Sequence, residues 1–392
     1  MAVYMDKVII VRFGELWLKG GNRYIFVRKL KTSIERKLKT TNSRIVAKRD
    51  RFMIYAPARE TATVKKALAY VFGISWYGEA YVVKSELKHI LKGVVSASKK
   101  ANLSGKNVRI EAHRSFKGLG FTSSDIVSEL LKVKDSLPFT PDSSSENIIM
   151  VNPDKHETYI YTEKIKGLGG MPYGSSGRAV VLISGGIDSP VAAFYAMKRG
   201  LEVVYLHIHP FKDYKNALNS KMGPLLTELS RYSDVAKIYL LPSYIFESKI
   251  LGTDPKNEMV LFKSFMMGLA DMLADKEECD AIVTGESLAQ VSSQTLTNLG
   301  ISSSKTSRLV IRPLICFDKE EIVGIAKRIM TYDTSILEYR DVCAFHSKNP
   351  ATAASRKAID KTYALKGLDE AAASTLKKGK TIFFGALTEN TV

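Results

Sequence analysis

The 392-residue sequence predicts an α/β protein in which a doubly wound parallel sheet follows two small α/β regions. Strands and helices alternate from residue 179 onward, as they do in parallel sheets that are covered by crossover helices. The segments before residue 85 follow the order β-α-β-β-α-β, which is the ferredoxin-like split unit. A glycine-rich turn joins the apolar strand at 179–183 to a helix at 191–199, an arrangement typical of phosphate sites.

The N-terminal region begins with a strand at 7–13 and an amphipathic helix at 22–39. Strands near 43–48 and 51–56, a helix near 61–72 and a strand near 80–84 complete the unit. The polar faces of the first helix are strongly cationic, which indicates either an ordinary solvated face or a phosphate-facing one. These cations are Arg23, Arg28, Lys29, Lys31, Arg36, Lys37 and Lys39, and Glu35 is the helix's only acid.

Residues 85–165 predict a second small α/β unit. Cations and aromatic residues alternate within it, as they often do on RNA-binding surfaces, although each phenylalanine taken singly is more often a core residue. These residues are Arg109, His113, Arg114, Phe116, Lys117 and Phe121. The predicted helices cover 87–101 and 123–133, the strands cover 107–112, 148–152 and 157–164, and a glycine-rich linker follows at 167–178.

Charge is unevenly distributed along the chain. Residues 1–178 contain 32 Lys and Arg and 16 Asp and Glu, so they carry a net charge of +16 out of the total of +18. This excess favours a polyanion such as RNA as the partner of the N-terminal half. The alternative is a basic surface that serves only solubility.

Composition narrows the class of protein. Hydrophobic residues make up 45% of the chain, which is enough for ordinary cores. The sequence has no signal peptide and no 18-residue apolar span, so we expect a cytoplasmic protein without membrane contact. The three cysteines form no CxxC pair, which argues against disulfides and against a zinc or iron–sulfur site. Cys279 and Cys316 are therefore expected to be small buried residues.

The turn at 184–189 reads Ser-Gly-Gly-Ile-Asp-Ser. Glycines allow close backbone approach, and the free N–H groups of a helix N-terminus attract anions. Asp188 would repel a phosphate unless a divalent cation lay between them, so we expect Mg²⁺ there. No lysine follows the glycines, which excludes the GxxxxGK[ST] loop. The string matches the SGGxDS loop (PP-loop) of enzymes that split ATP between the α- and β-phosphates; the alternative is a tight turn without a ligand.

Further strands are predicted at 202–207, 235–240, 281–284 and near 309–315. Nucleotide is expected at the carboxyl ends of these strands. Adenine would then lie near His207, and Lys263 on the helix at 259–274 is a candidate phosphate contact.

Several strings resemble the tRNA 4-thiouridine synthetase (ThiI) family, over essentially the whole chain. They are VRFGELWLKGGNR (11–23), LISGGIDSPVAAFYAMKRG (182–200), TGESLAQVSSQTL (284–296), RPLICFDKEEIVGIAKRIMTYDTSI (312–336) and YRDVCAFHSKNP (339–350). The resemblance implies a ferredoxin-like domain at 1–76, a THUMP RNA-binding domain at 77–166 and a PP-loop ATP pyrophosphatase domain at 179–392. It also implies that ATP adenylates O4 of the uridine at position 8 of tRNA and that a persulfide sulfur displaces AMP.

The resemblance assigns roles to individual residues. Cys343 stands at the position of the family's catalytic cysteine, and Asp188 would act at the metal and phosphate. Lys263 stands where relatives carry arginine. The positive charge is kept, but the pair of parallel hydrogen bonds that a guanidinium group can donate to a phosphate is lost. The implied ATP contacts are Leu182, Ile183, Ser184, Gly185, Gly186, Asp188, Ser189, His207, Ile208, Lys263, Gly285 and Gln294.

Two departures from the family pattern leave the sulfur source open. The sequence ends before a rhodanese domain would fit, and it lacks the CxxC of some archaeal members. The sulfur donor is expected to be a cysteine desulfurase persulfide or free sulfide. Whether the protein has a role in thiamine biosynthesis, and whether it forms a homodimer, stays open at this point. The alternatives are another PP-loop enzyme that adenylates RNA, and a tRNA-binding protein with a vestigial nucleotide site.

Overall fold

The computed structural model describes residues 6–233, 235–339 and 351–385. The chain divides into two compact units, Met1–Gly170 and Met171–Val392. Each unit has its own core of buried apolar side chains. Within the described ranges, none of the helices has the length and apolar character of a membrane-spanning segment.

The first unit contains the predicted helices and strands in the predicted order, and also two short strands that were not predicted, Thr140–Pro141 and Ile165–Lys166. Helix α4 begins at a capping box, in which Thr122 Oγ1 accepts a hydrogen bond from the Asp125 amide and Asp125 accepts one from the Thr122 amide. The helices are α1 (Arg23–Lys37), α2 (Thr61–Leu68), α3 (Leu87–Lys100) and α4 (Ser123–Lys132). The strands are β1 (Asp6–Phe13), β2 (Arg44–Ala47), β3 (Arg51–Tyr55), β4 (Ile74–Lys84), β5 (Asn107–Ala112), β6 (Thr140–Pro141), β7 (Ile148–Pro153), β8 (Glu157–Tyr161) and β9 (Ile165–Lys166).

These strands form one sheet in the order β2-β3-β1-β4-β8-β7-β5-β6, with β9 paired to β4. The first four strands are antiparallel neighbours in the ferredoxin-like arrangement, which confirms that part of the fold. β4 begins at residue 74 rather than near 80 because it pairs with β1 along 74–82 as well as with β8 along 80–84. The predicted division between residues 76 and 77 therefore falls within a strand that both small α/β regions share.

The loop after β5 carries the cations and aromatics noted in the sequence. Arg114 Nη1 donates to the Phe121 carbonyl oxygen at 2.5 Å, and Phe121 packs against the core of this region. These two residues therefore hold the loop together. His113, Phe116 and Lys117 are exposed, whereas Arg109, Arg114 and Phe121 are partly buried.

The second unit contains the predicted alternation of strands and helices. Helix α5 is the next element after β10 and ends at Lys198; two residues later Gly200 has a φ of +85°, in the left-handed region that favours glycine. The strands are β10 (Arg178–Leu182), β11 (Glu202–His209), β12 (Ala236–Pro242), β13 (Ala281–Val283), β14 (Leu309–Ile311) and β15 (Lys380–Phe384). The helices are α5 (Asp188–Lys198), α6 (Tyr214–Ala217), α7 (Gly223–Ser230), α8 (Tyr244–Ile250), α9 (Pro255–Lys276), α10 (Leu296–Ser303), α11 (Lys319–Arg328), α12 (Tyr332–Ser335), α13 (Arg356–Leu365) and α14 (Leu368–Lys378).

The sheet of this unit has the order β14-β13-β10-β11-β12-β15. Neighbours from β14 to β12 are parallel, which confirms the predicted doubly wound sheet. β15 was not predicted and pairs antiparallel with β12 at the edge. The chain order reverses between β10 and β13, and in such sheets the crevice at the carboxyl ends of the strands beside that reversal is where ligands bind.

Candidate nucleotide-binding site

A cavity lies at the carboxyl ends of β10, β11 and β13. Leu206, Phe262, Met266 and Met267 contribute to its apolar wall, and the loop at 184–189 forms part of its polar wall. Among the predicted ATP contacts, all of which the structure describes, Gly185 does not line the cavity. The others do: Leu182, Ile183, Ser184, Gly186, Asp188, Ser189, His207, Ile208, Lys263, Gly285 and Gln294.

The loop at 184–189 is closed by hydrogen bonds between its first and last serines. Ser189 Oγ accepts from the Ser184 amide at 2.8 Å and lies 3.2 Å from the Ser184 carbonyl oxygen, to which it can donate. The Gly186 amide donates to Ser184 Oγ at 3.3 Å. The serine hydroxyls therefore define the shape of the turn as well as lining the cavity.

Asp188, the first residue of α5, has a donor on each carboxylate oxygen. Lys319 Nζ lies 2.5 Å from Oδ1, and Gln290 Nε2 donates to Oδ2 at 2.9 Å. Lys319 is the first residue of α11, which starts at a capping box between Asp318 and Glu321. Neither Lys319 nor Gln290 is predicted from the sequence, because they lie 131 and 102 positions from Asp188 along the chain.

Lys263, Glu286 and Arg312 form a largely buried charge cluster at the cavity wall. Lys263 Nζ lies 2.8 Å from Glu286 Oε1, and Arg312 Nε lies 2.8 Å from Oε2. Burial by itself raises the pKa of Glu286, but the two cations and their hydrogen bonds outweigh it and hold the pKa below its ordinary value. Glu286 is therefore a carboxylate at neutral pH, and it positions Lys263 beside the cavity.

The segment after β13 folds back on itself, so that both of its ends reach the cavity. Ala289 has a φ of +61°, a left-handed conformation that costs a non-glycine residue on the order of 1 kcal/mol. Its amide donates to the Gln294 carbonyl oxygen at 2.9 Å. Gln294 Oε1 is buried without a hydrogen-bond partner among the described residues, so it is available to accept one from a ligand.

His207 is buried, and both of its ring nitrogens have partners. Nδ1 lies 2.9 Å from the Ile183 carbonyl oxygen, and Nε2 lies 2.7 Å from the Tyr339 hydroxyl. A carbonyl oxygen only accepts, so in neutral His207 the proton is on Nδ1 and Nε2 accepts from Tyr339. The ring is therefore held between the end of β10 and the segment after α12.

The three cysteines differ in position. Cys343, the predicted catalytic residue, lies outside the described residues. Cys279 is buried as expected, and burial raises the pKa of its thiol to about 11. Cys316 was expected to be buried as well, but this prediction was wrong, because the turn after β14 places it on the surface.

Two family models match the chain. The model described as "Thiamine biosynthesis protein (ThiI)" matches residues 174–366, and "ThiI ferredoxin-like domain" matches residues 8–78. A relative from Anoxybacillus flavithermus named "Probable tRNA sulfurtransferase" is 35% identical over 380 residues, which cover 95% of this chain and 96% of the relative. A Geobacillus protein of the same name is 34% identical over 358 residues, covering 90% of this chain and 89% of that protein.

A solved structure is also similar over nearly the whole chain. It is described as "Crystal structure of a 4-thiouridine synthetase - RNA complex with bound ATP". The similarity covers 97% of this chain and 100% of that one, with a TM-score of 0.87 and 30% identity. The fold of this chain is thus one already seen in a protein with RNA and ATP bound.

Proposed function

The chain belongs to the ThiI family and is a tRNA sulfurtransferase, and we propose that it adenylates O4 of the uridine at position 8 of tRNA before sulfur replaces that oxygen. The observation that carries this proposal is the cavity at the carboxyl ends of β10, β11 and β13, which is lined by eleven of the twelve predicted ATP contacts. They come from four separate stretches of sequence. A chance match of one short string would not bring them together.

In the first step, uracil O4 attacks the α-phosphorus of ATP, the bond to the β-phosphate breaks and pyrophosphate leaves. The uracil N3 proton is lost as O4 becomes the bridging oxygen. We expect the amides of the first turn of α5 to hold the departing phosphates, because the Ser184 and Gly186 amides of the loop already donate to serine hydroxyls. Lys263 is proposed to be the side-chain cation that contacts the phosphates, and its ion pair with Glu286 holds it in position. Adenylation converts a poor leaving group, the carbonyl oxygen, into AMP.

Magnesium is compatible with Asp188. Each carboxylate oxygen has more than one lone pair, so the donors from Lys319 and Gln290 leave positions for a metal ion. The described residues contain no cluster of three or more His, Cys, Asp or Glu that could hold a metal. Because Mg²⁺ in nucleotide sites is usually held by one or two carboxylates and the phosphates, we propose that it enters with ATP and reduces the phosphate charge.

In the second step, sulfur forms a bond to C4 and AMP leaves. With free sulfide, HS⁻ forms this bond and its proton moves from sulfur to N3, which restores the N3–H lost in the first step, so no redox change occurs. With a persulfide on Cys343, the terminal sulfur forms the bond, and an external thiol then cleaves the S–S bond and ends as a disulfide with Cys343. Cys343 is proposed as the residue that carries or relays the sulfur, and either donor is compatible with the described residues.

We propose that the first unit binds the tRNA. Residues 1–178 carry a net charge of +16. The exposed His113, Phe116 and Lys117 and the cations of α1 offer phosphate contacts and a stacking surface. A cytoplasmic location and a homodimer stay predictions.

Mass spectrometry of tRNA nucleosides tests the proposed function. The purified chain is incubated with ATP, MgCl₂, sulfide and an unmodified tRNA transcript, and 4-thiouridine is expected to form. A matched transcript with cytidine at position 8 should give none. If 4-thiouridine is absent from the first transcript under both sulfide and persulfide supply, the proposed function is wrong.

A further inference from the structure

A buried lysine fastens the segment after α12 to its surroundings. Lys221 lies in the short π-helical turn Leu218–Met222 and is only 8% exposed. Its Nζ donates to the carbonyl oxygens of Ser335 and Leu337, at 2.8 Å each. A buried ammonium group needs such partners, because an unpaired charge in the interior is costly. The lysine therefore fixes the backbone at 335–337.

Tyr339 extends this contact to the strand ends of the sheet. Its ring centroid lies 5.4 Å from Lys221 Nζ and 5.9 Å from the ring of Phe211 in an edge arrangement. Its hydroxyl lies 2.7 Å from His207 Nε2, and His207 Nδ1 lies 2.9 Å from the Ile183 carbonyl oxygen. Tyr339 is thus connected through His207 to the end of β10, immediately before the phosphate-binding loop.

The same two side chains cover Gly185 within that loop. A Cβ atom on Gly185 would lie 2.5 Å from Lys221 Cε and 3.1 Å from Tyr339 Cδ1. Position 185 therefore has no space for a side chain as long as Lys221 and Tyr339 are in place. This explains why position 185 is a glycine although it does not line the cavity.

We propose that Lys221 and Tyr339 form a clasp that holds the chain leading to Cys343 against the phosphate-binding loop, and that sulfur transfer needs this clasp whereas adenylation does not. The inference rests on the proposed function. Cys343 follows Tyr339 by four residues, and four residues span at most about 14 Å. The clasp therefore fixes, at Tyr339, the described end of the segment from which the chain continues to Cys343.

The division between the two steps is part of the proposal, because Tyr339 also contacts His207 and both side chains cover Gly185. Lys221 and Tyr339, both in the described part of the chain, do not line the cavity, so replacing them removes no wall residue. Lys221 Nζ is bonded to backbone carbonyls of the segment rather than to the loop. Lys221 and Tyr339 are therefore positioning residues for the second step.

The test measures 4-thiouridine formed per pyrophosphate released, at saturating ATP and tRNA with a persulfide donor. In Lys221→Met, the methionine keeps most of the apolar stem against Gly185 but cannot bind the two carbonyls. We expect pyrophosphate release within about threefold of wild type and a ratio lowered at least tenfold, because misplacement by about 1 Å can cost on the order of 100-fold. The adenylated uridine would then hydrolyse to uridine and AMP.

Tyr339→Leu is the second variant, because Tyr339 is partly exposed and its replacement is tolerated more easily than that of a buried lysine. It should lower the same ratio. Lys366→Met is the matched control, since Lys366 Nζ also donates to a carbonyl oxygen, that of Leu251 at 2.8 Å, and its ratio should equal that of wild type.

Two results would overturn the clasp. One is a wild-type ratio in Tyr339→Leu. The other is an equal fall of pyrophosphate release and 4-thiouridine in both variants, which would assign them to adenylation or to folding. A wild-type chain that forms no 4-thiouridine would instead overturn the proposed function, and the inference with it.

Discussion

Gly285 and Ser189 approach so closely that a Cβ atom on Gly285 would lie 2.8 Å from both the backbone nitrogen and the Cα atom of Ser189. Gly285 follows β13, and Ser189 lies in the first turn of α5. The two backbones thus meet where the chain order of the sheet reverses. Together they close one wall of the cavity.

This close approach predicts the effect of Gly285→Ala. The new methyl group meets backbone atoms that cannot rotate away, so we expect a loss of about 1–3 kcal/mol in the free energy of unfolding. ATP affinity should fall as well, because α5 and its loop must shift. Gly324→Ala is the control: no atom lies within 4 Å of its Cβ position in α11, and it should be neutral or stabilising by up to about 1 kcal/mol. Denaturant unfolding and calorimetric ATP titration measure both, and unchanged ATP binding in Gly285→Ala would contradict the prediction.

If Asp188 holds the proposed Mg²⁺ at the phosphates, Asp188→Ala should lower tRNA-dependent pyrophosphate release by about 100-fold or more, because alanine cannot bind a metal ion. Affinity for tRNA, measured by filter binding, should stay near that of wild type. Asp360→Ala is a matched control, since Asp360 also accepts from a lysine, Lys305 Nζ at 2.9 Å, and does not line the cavity. Wild-type turnover in Asp188→Ala would exclude the metal role.

Glu286→Gln tests the charge cluster through the pH dependence of stability. The pKa of folded Glu286 lies below its ordinary value of 4.5, so the ionised group stabilises the fold fully above about pH 4.5 and less as the pH falls through the folded-state pKa. At pH 7 we expect the variant to be about 3–5 kcal/mol less stable, because two buried cations no longer have their partner. Urea unfolding at several pH values should show this difference shrinking below pH 4.5.

The control for that series is Glu228→Gln. Glu228 pairs with Arg231 on the surface at 3.3 Å, and such pairs contribute at most about 1 kcal/mol. If the two variants behave alike across the pH range, the cluster does not stabilise the fold as inferred.

Neutralising cations of α1 should weaken tRNA binding and reduce its salt dependence. Arg28, Lys29 and Arg36 are exposed, and their joint replacement by Gln should lower the slope of log K against log salt by about 1 for each tRNA phosphate that is no longer neutralised. The same replacement of exposed Lys357, Lys361 and Lys377 in the second unit is the control. Equal effects of the two triple variants in a salt titration would remove the assignment of tRNA binding to the first unit.

Cys343→Ser should leave pyrophosphate release intact but stop formation of 4-thiouridine from a cysteine desulfurase persulfide. Cys316→Ser is the control, because it removes an exposed thiol of the same unit. Two donors are compared, the persulfide and millimolar sulfide. Loss of activity with both makes Cys343 essential to the chemistry, rescue by sulfide makes it a relay only, and full activity with both removes it from the mechanism.

Much of the candidate nucleotide site could be predicted because its backbone elements depend on residues that are close in the sequence. The strand, turn and helix around 178–198 are determined by β-branched residues, glycines and a helix end that are adjacent in the sequence. Whether a side chain is buried depends less on its neighbours in the sequence. Cys279 and Cys316 were both expected to be buried, but only Cys279 is. How the second unit packs decides that difference.

Most of the order of elements and the turn at 184–189 could be predicted from the sequence, since each depends on neighbouring residues or on a motif, and eleven of the twelve predicted ATP contacts line the cavity. Packing of the folded chain, in contrast, determines which distant side chains meet that turn: Lys319 and Gln290 on Asp188, and Lys221 and Tyr339 on Gly185. It also joins the two small α/β regions into one sheet through β4 and adds β15 at the edge of the other sheet. Backbone propensity and turn chemistry act over a few residues, whereas these contacts form between segments that become neighbours only when the chain packs.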